Sequence, residues 1–287
     1  MQLGLGTVTF GMDYGIANNH AVPSNEVTDI LTIAQNHGID LLDTAQLYGN
    51  SESVLGKTQR TEQFKIVSKL PAINDLDTAQ VIDLAKQSLK ALKVNNLHGC
   101  LLHNIDDALS NKNNKNFANL NTLKELQLVD KIGVSVYTPE QLSMVMELFP
   151  IDLVQLPLNI FDQRFLQTGI IKKAKALGIE IHVRSAFLQG LLLMEQDQIP
   201  QYFERFKGQL NNYFDYIDKQ SIDKLTAALT FINQIPEIDY AIVGCCSAQQ
   251  LSSIAKANDT AKKIPSTISF DEFASTDENL ILPTHWN

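Results

Sequence analysis

The chain has 287 residues, 44% of them hydrophobic and 19% charged, with a formal net charge of −9. This length and composition suit an ordinary water-soluble α/β globule with a sizeable core, and argue against disorder. The negative charge argues against nucleic acid or an anionic membrane as the main partner, while leaving room for a local basic pocket.

Three cysteines, Cys100, Cys245 and Cys246, are too few for a disulfide framework and lack metal-ligand spacing. No stretch approaches the ~18–20 apolar residues of a membrane span. The opening Met1-Gln-Leu-Gly-Leu-Gly6 has no basic segment followed by a long apolar one. A cytoplasmic protein without a signal peptide is the expectation.

In chain order, Leu3–Gly6 reads as a first strand. Helical spacing follows from Ser24 to His37, with Val27, Ile30, Leu31, Ile33 and Ala34 on one face. Ser24 is the expected N-cap, and Gly38 the left-handed residue that stops the helix. Ile39–Leu42 comes next as a strand. Phe64–Ser68, Gly99–Leu102, Lys131–Ser135, Leu153–Leu156, Ile179–Val183 and Tyr240–Val243 are further apolar runs of strand length. Helical patterns lie between them at 78–93, 118–128, 139–147, 168–177 and 221–234.

Strands alternating with helices predict a parallel sheet. Eight such units predict a closed (β/α)8 TIM barrel spanning 1–287 as one domain, with an open doubly wound sheet as the competitor. No Gly-x-Gly-x-x-Gly opens a helix after the first strand, because Gly4-Leu-Gly6 runs on into Thr7-Val-Thr9. This counts against a Rossmann-type dinucleotide fold. The polar stretch 111–116 reads as a surface loop or helix approach, and 195–220 as an insertion after strand seven. The tail 265–287 carries Ile281, Leu282 and Trp286, and is expected to fold back over the barrel.

Active sites of such barrels lie at the C-terminal ends of the strands. Those ends, read in order, give Asp43, then Tyr48 in the following loop, Lys69 and His103. Adjacent strands are ~4.8 Å apart, so these four groups can converge on one small volume. Singly, each has a plain structural reading: a turn cap for Asp43, packing for Tyr48, a solvated strand end for Lys69, a hydrogen-bonded turn for His103. Together, a phenol, an ammonium, a carboxylate and an imidazole are hard to explain as packing.

The run Asp43-Thr-Ala-Gln-Leu-Tyr48-Gly-Asn-Ser-Glu52-Ser-Val-Leu-Gly56 resembles the signature of the aldo-keto reductase family. Lys69 in Ile66-Val-Ser-Lys69 and His103 in Leu101-Leu-His103 fall where that family keeps its catalytic Lys and His. The likeness continues through Gly133-Val-Ser135, Val154–Asn159, Ser185–Gly190 and Ile242-Val-Gly244, and so covers nearly the whole chain. Within the family, Leu5–Gly15 and Arg184–Leu193 look most like bacterial members encoded with sugar and surface-polysaccharide pathways.

The resemblance implies reduction of an aldehyde or ketone, including sugar-type carbonyls, with hydride from a nicotinamide and a proton from Tyr48. A free Tyr has a pKa of about 10; a neighbouring Lys69 ammonium would lower it. Asp43 would hold Lys69, and His103 would orient the carbonyl. The cofactor would be NADP(H), the family's habit, with NAD(H) as the alternative. By the same resemblance, Ser135 and Gln155 would hold the carboxamide, with Thr7 also beside the cofactor. Arg184, Ser185, Leu188 and Gly190 would run along the pyrophosphate. Gly244, Ser247 and Gln250 would take the adenosine end, where a helix N-terminus favours phosphate.

Three departures stand out: Val136 where many relatives have Asn, Arg184 where many have a stacking aromatic, and a Cys245–Gln250 loop without Lys or Arg. They motivate a second reading, a cofactor-binding barrel with little turnover. A metal-dependent lyase or isomerase is a third, but no His/Asp/Glu set has ligand spacing. Tyr14, Phe161, Phe187 and Trp286 are candidate pocket walls. The expected partner is a small carbonyl compound, and the expected state a monomer or weak homo-oligomer.

Overall fold

The computed structural model describes residues 1–16, 21–105, 109 and 115–286. Eight strands close in sequence order: β1 (Gln2–Gly6), β2 (Leu41–Asp43), β3 (Lys65–Leu70), β4 (Leu97–Leu102), β5 (Val129–Ser135), β6 (Leu153–Pro157), β7 (Glu180–Arg184) and β8 (Tyr240–Gly244). Every neighbouring pair is parallel. The ring is completed by β8 on β1, with Gln2 opposite Tyr240 and Gly6 opposite Gly244. This is the (β/α)8 barrel expected from the alternation, and a closed ring leaves no free sheet edge.

The helices are α1 (Ser24–Asn36), α2 (Ser51–Lys57), α3 (Thr78–Leu92), α4 (Lys115–Glu125), α5 (Pro139–Leu148), α6 (Arg164–Gln167), α7 (Ile170–Ala176), α8 (Lys207–Lys219), α9 (Lys224–Asn233), α10 (Ala248–Ala261) and α11 (Glu278–Ile281). Capping boxes built by Asp77 with Gln80 and by Thr138 with Gln141 start α3 and α5. In α1 the buried face is Val27, Ile30, Leu31 and Ala34. The helix starts one residue earlier than a Ser24 cap would allow. Pro23, extended at φ −59° and ψ 144°, is its N-cap, and its carbonyl accepts from Val27 N at 3.1 Å. Gly38 does end this segment in the left-handed region, at φ +69°.

Two other expectations change. The 168–177 pattern forms α7 from Ile170, behind a left-handed Gly169 at φ +70°, and the short α6 precedes it outside the expected range. Residues 195–220 are mostly ordered turns and α8, whose Leu210, Tyr213, Phe214 and Ile217 are buried at helical spacing. Of the polar stretch 111–116, residues 111–114 lie outside the described residues, and Lys115 opens α4. In the tail, Ser275 N donates to Phe161 O at 2.8 Å, and Gln163 Nε2 donates to Phe270 O at 2.8 Å. Phe270, Phe273, Leu280 and Ile281 are buried. Among the described residues no helix is long and apolar enough to cross a membrane.

The strand period of two positions the site. Leu41, Val67, Leu101, Leu153, Tyr240 and Ile242 pack together in one buried cluster. Side chains two residues apart share a face of the sheet. One pleat further along, the same face carries Asp43, Lys69, His103, Gln155 and Gly244. Polar chemistry thus begins where an apolar layer ends.

Candidate active site

Lys69 and Asp43 are both buried, the lysine with 1% of its surface exposed. Lys69 Nζ donates to both carboxylate oxygens of Asp43 at 2.7 Å, to Thr44 O at 3.1 Å and to Tyr48 Oη at 3.4 Å. Gln155 Nε2 donates to Asp43 Oδ1 at 2.7 Å. An ammonium so deeply buried survives only when paired and hydrogen-bonded. Burial pulls the Lys69 pKa down, but Asp43 and Tyr48 outweigh it and hold it above the ordinary value.

Tyr48 lies half-buried in the loop between β2 and α2. Its ring meets that of His103 edge-on, with centroids 5.6 Å apart, and Lys69 Nζ is 5.0 Å from its centroid. Burial raises the Tyr48 pKa, and Lys69 lowers it without reversing the shift. The expected net lowering is therefore not found. The Lys69 charge is already matched by Asp43, which itself raises the tyrosine. His103 is pushed down to about 4, by burial first and then by Lys69, so it is neutral at pH 7. Its Nδ1 is buried and has no partner among the described residues.

Thr7, at the end of β1, ties this group to the first strand. Its Oγ1 donates to Asp43 O at 3.0 Å and accepts from Ser51 Oγ at 2.9 Å. The tyrosine loop is held from the other side by two glycines. A Cβ on Gly11 would lie 1.9 Å from Tyr48 O, and one on Gly49, at φ +57°, 2.3 Å from Gly11 O. Only backbone without side chains can approach so closely.

A cavity of about 620 Å³ opens beside Asp43 and Tyr48 and runs to the start of α10. Of the residues expected at a cofactor, Thr7, Gln155, Arg184, Ser185, Gly190, Gly244, Ser247 and Gln250 line it. Ser135 is buried opposite Gln155 and does not line it. Leu188 does not either: the turn at φ +47° directs its side chain into the core. Tyr14 and Phe187 form walls of the cavity, whereas Phe161 is fully buried and Trp286 packs on Phe203, with centroids 4.8 Å apart.

Arg184 stacks on Tyr137, its guanidinium carbon 4.3 Å from the ring centroid, and donates to Val136 O at 3.3 Å. Four residues within Ser185–Gly190 have positive φ, three of them not glycine. Such strained backbone clusters at functional sites. Sequence reasoning missed Thr9, whose Oγ1 donates to Cys245 O at 3.0 Å, and Gln189, whose amide reaches Tyr14 Oη at 3.4 Å. The alternation Thr7-Val-Thr9 was the available signal for the first; the second lies in the Ser185–Gly190 loop expected along the pyrophosphate but was not singled out within it. Among the described residues no group of His, Cys, Asp and Glu is arranged to hold a metal.

Comparison with known proteins agrees with the fold and identifies the family. Residues 2–273 match the aldo/keto reductase family. The chain is 24% identical over 292 aligned positions to the aldo-keto reductase YhdN of Bacillus subtilis, covering 89% of this chain and 84% of that protein. A crystal structure of a Pseudomonas aeruginosa protein assigned to the aldo-keto reductases matches with a TM-score of 0.68 and 26% identity, over 90% of each chain. A glycerol dehydrogenase of Gluconobacter oxydans shares the fold, with a TM-score of 0.73 and 21% identity over 98% of this chain and 92% of that one. The chain belongs to the aldo/keto reductase family, whose activity is nicotinamide-dependent carbonyl reduction.

Proposed function

We propose that this protein reduces an aldehyde or ketone to an alcohol, with Tyr48 as the proton donor. The observation that carries the reading is the buried Asp43–Lys69 pair with Tyr48 Oη 3.4 Å from the ammonium. When bound, the reduced nicotinamide supplies the hydride. Tyr48 gives its proton to the carbonyl oxygen, and its raised pKa keeps it protonated at neutral pH. The phenolate left behind is stabilised by Lys69, which Asp43 and Gln155 hold in place. His103, neutral, donates an N–H to the same carbonyl oxygen.

The cavity fits a dinucleotide in its chemistry. It begins at the proton donor, passes the strained Ser185–Gly190 turn, and ends at the start of a long helix. The family's habit points to NADP(H), with NAD(H) the alternative; the charges at the far end of the cavity bear on that choice. A sugar-type carbonyl is the finer substrate reading, and it rests on sequence likeness. The test is to follow nicotinamide absorbance at 340 nm over a panel of aldehydes, ketones and open-chain sugars. Oxidation of the cofactor by at least one carbonyl compound is expected; none, with the cofactor bound, would contradict the reading.

A further inference from the structure

If the nicotinamide end of a dinucleotide lies at Tyr48, its adenosine ribose falls at the other end of the cavity, against the start of α10. A helix N-terminus usually offers free backbone N–H groups to a phosphate. Here two of them, those of Ala248 and Gln250, are already taken, as is the N–H of Cys246 just before the cap Ser247. Cys246 N donates to Gln250 Oε1 at 2.7 Å, and Gln250 N donates to Ser247 Oγ at 3.1 Å. Ala248 N donates to Glu26 Oε1 at 2.7 Å, the carboxylate coming from α1, which packs against α10. A fixed negative charge thus occupies the helix start.

Among the described residues, the side chains that line the cavity at this end supply no compensation. The cavity wall there is Cys245, Cys246, Ser247, Gln249, Gln250 and Ser253, with no lysine, arginine or histidine among them. Among the described residues, the cation that lines the cavity is Arg184, held at the end of β7 on Tyr137. The two dinucleotides share every charge except the 2′-phosphate, which adds nearly two negative charges at the adenosine ribose. In the phosphorylated form that group would come near the Glu26 carboxylate, which sits at Ala248 N behind the cavity wall, with no cation among the described residues that line the cavity at that end. Like charges brought together in a site weaken binding sharply.

We infer that the cavity selects the unphosphorylated dinucleotide, NAD(H), and that Glu26 is the residue that sets this preference. The inference rests on the cavity being the nicotinamide site, and it departs from the family's habit of using NADP(H). Glu26 is a specificity residue: its carboxylate acts on the ribose substituent and has no part in the hydride or proton step.

The test is calorimetric titration of the full chain with NADH and with NADPH, in wild type and in Glu26→Gln. Glutamine keeps the acceptor for Ala248 N and removes the charge. Wild type is expected to bind NADH at least about tenfold more tightly than NADPH, and the variant to narrow that ratio about fivefold or more, mainly through NADPH. In wild type alone, raising the salt to about 0.5 M is expected to narrow the ratio by screening, since the site is partly exposed. Equal or tighter NADPH binding by wild type, or a ratio unmoved by Glu26→Gln, would overturn the preference alone. No binding of either dinucleotide would overturn the reading of the cavity, and the preference with it.

Discussion

An ammonium as buried as that of Lys69 depends on one carboxylate, and this dependence can be measured. Asp43→Asn leaves the Lys69 charge unpaired and is expected to cost about 3–5 kcal/mol of stability by denaturant unfolding. Adding Lys69→Met removes the orphaned charge and is expected to recover most of that loss without restoring turnover; no recovery would mean that Asp43 acts through something other than the pair. His103 gives a prediction in pH. Its pKa falls from the ordinary 6.5 to about 4 on folding. The native state therefore resists protonation, so its stabilising share is full above about pH 6.5 and is lost as pH falls toward 4. Thermal unfolding of His103→Gln is expected to show a shallower fall over this window than wild type, and equal slopes would contradict it. Asp43, Lys69 and His103 were legible as strand-end residues, and Tyr48 as a residue of the loop after β2. The sign of the Tyr48 shift was not, because it depends on how far Asp43 neutralises Lys69.

At the level of elements, the tyrosine loop is positioned by backbone contact. Gly11 belongs to the segment after β1, and Gly49 directly follows Tyr48. A methyl group on Gly11 meets the Tyr48 carbonyl and Ser51 N, which are backbone and cannot rotate away. Gly11→Ala is expected to lower kcat about tenfold or more and to reduce Tm, because a 1 Å displacement of a catalytic group is costly. An unchanged kcat would show that the loop tolerates the shift. Strands and most helices were readable because their periods are strong. The failures have local causes. At α1, Pro23 took the cap position beside a plausible serine. At α7, the left-handed Gly169 delays the helix start to Ile170. In α8, the many Gln, Asn and Asp residues masked the spacing of Leu210, Tyr213, Phe214 and Ile217. The Gly11–Gly49 contact was out of reach, since the residues are far apart in sequence and show no pattern.

For the whole molecule, the barrel divides into an end that carries the candidate active site and a stabilising end. At the start of β7, Glu180 Oε1 is 2.9 Å from His98 Nε2 and 2.7 Å from His182 Nε2, and its other oxygen accepts from Lys131. Burial pushes the Glu180 pKa up, but these hydrogen bonds outweigh it and hold the carboxyl far below the usual range. The stabilisation is thus present above the ordinary carboxylate pKa of about 4.3 and fades as pH falls below it. Glu180→Gln is expected to lower Tm at pH 7, with the difference from wild type shrinking below about pH 4; a constant difference would contradict the ion-pair origin. Barrel closure joins the strand ends that carry Thr7, Asp43, Lys69, His103 and Gln155 into one site. The most direct test of the central claim is single-turnover reduction of an accepted aldehyde by wild type and Tyr48→Phe, with cofactor affinity measured alongside. A loss of about 10²–10⁴ in rate with cofactor binding retained is the result the proton-donor role requires. A rate unchanged in Tyr48→Phe would contradict it.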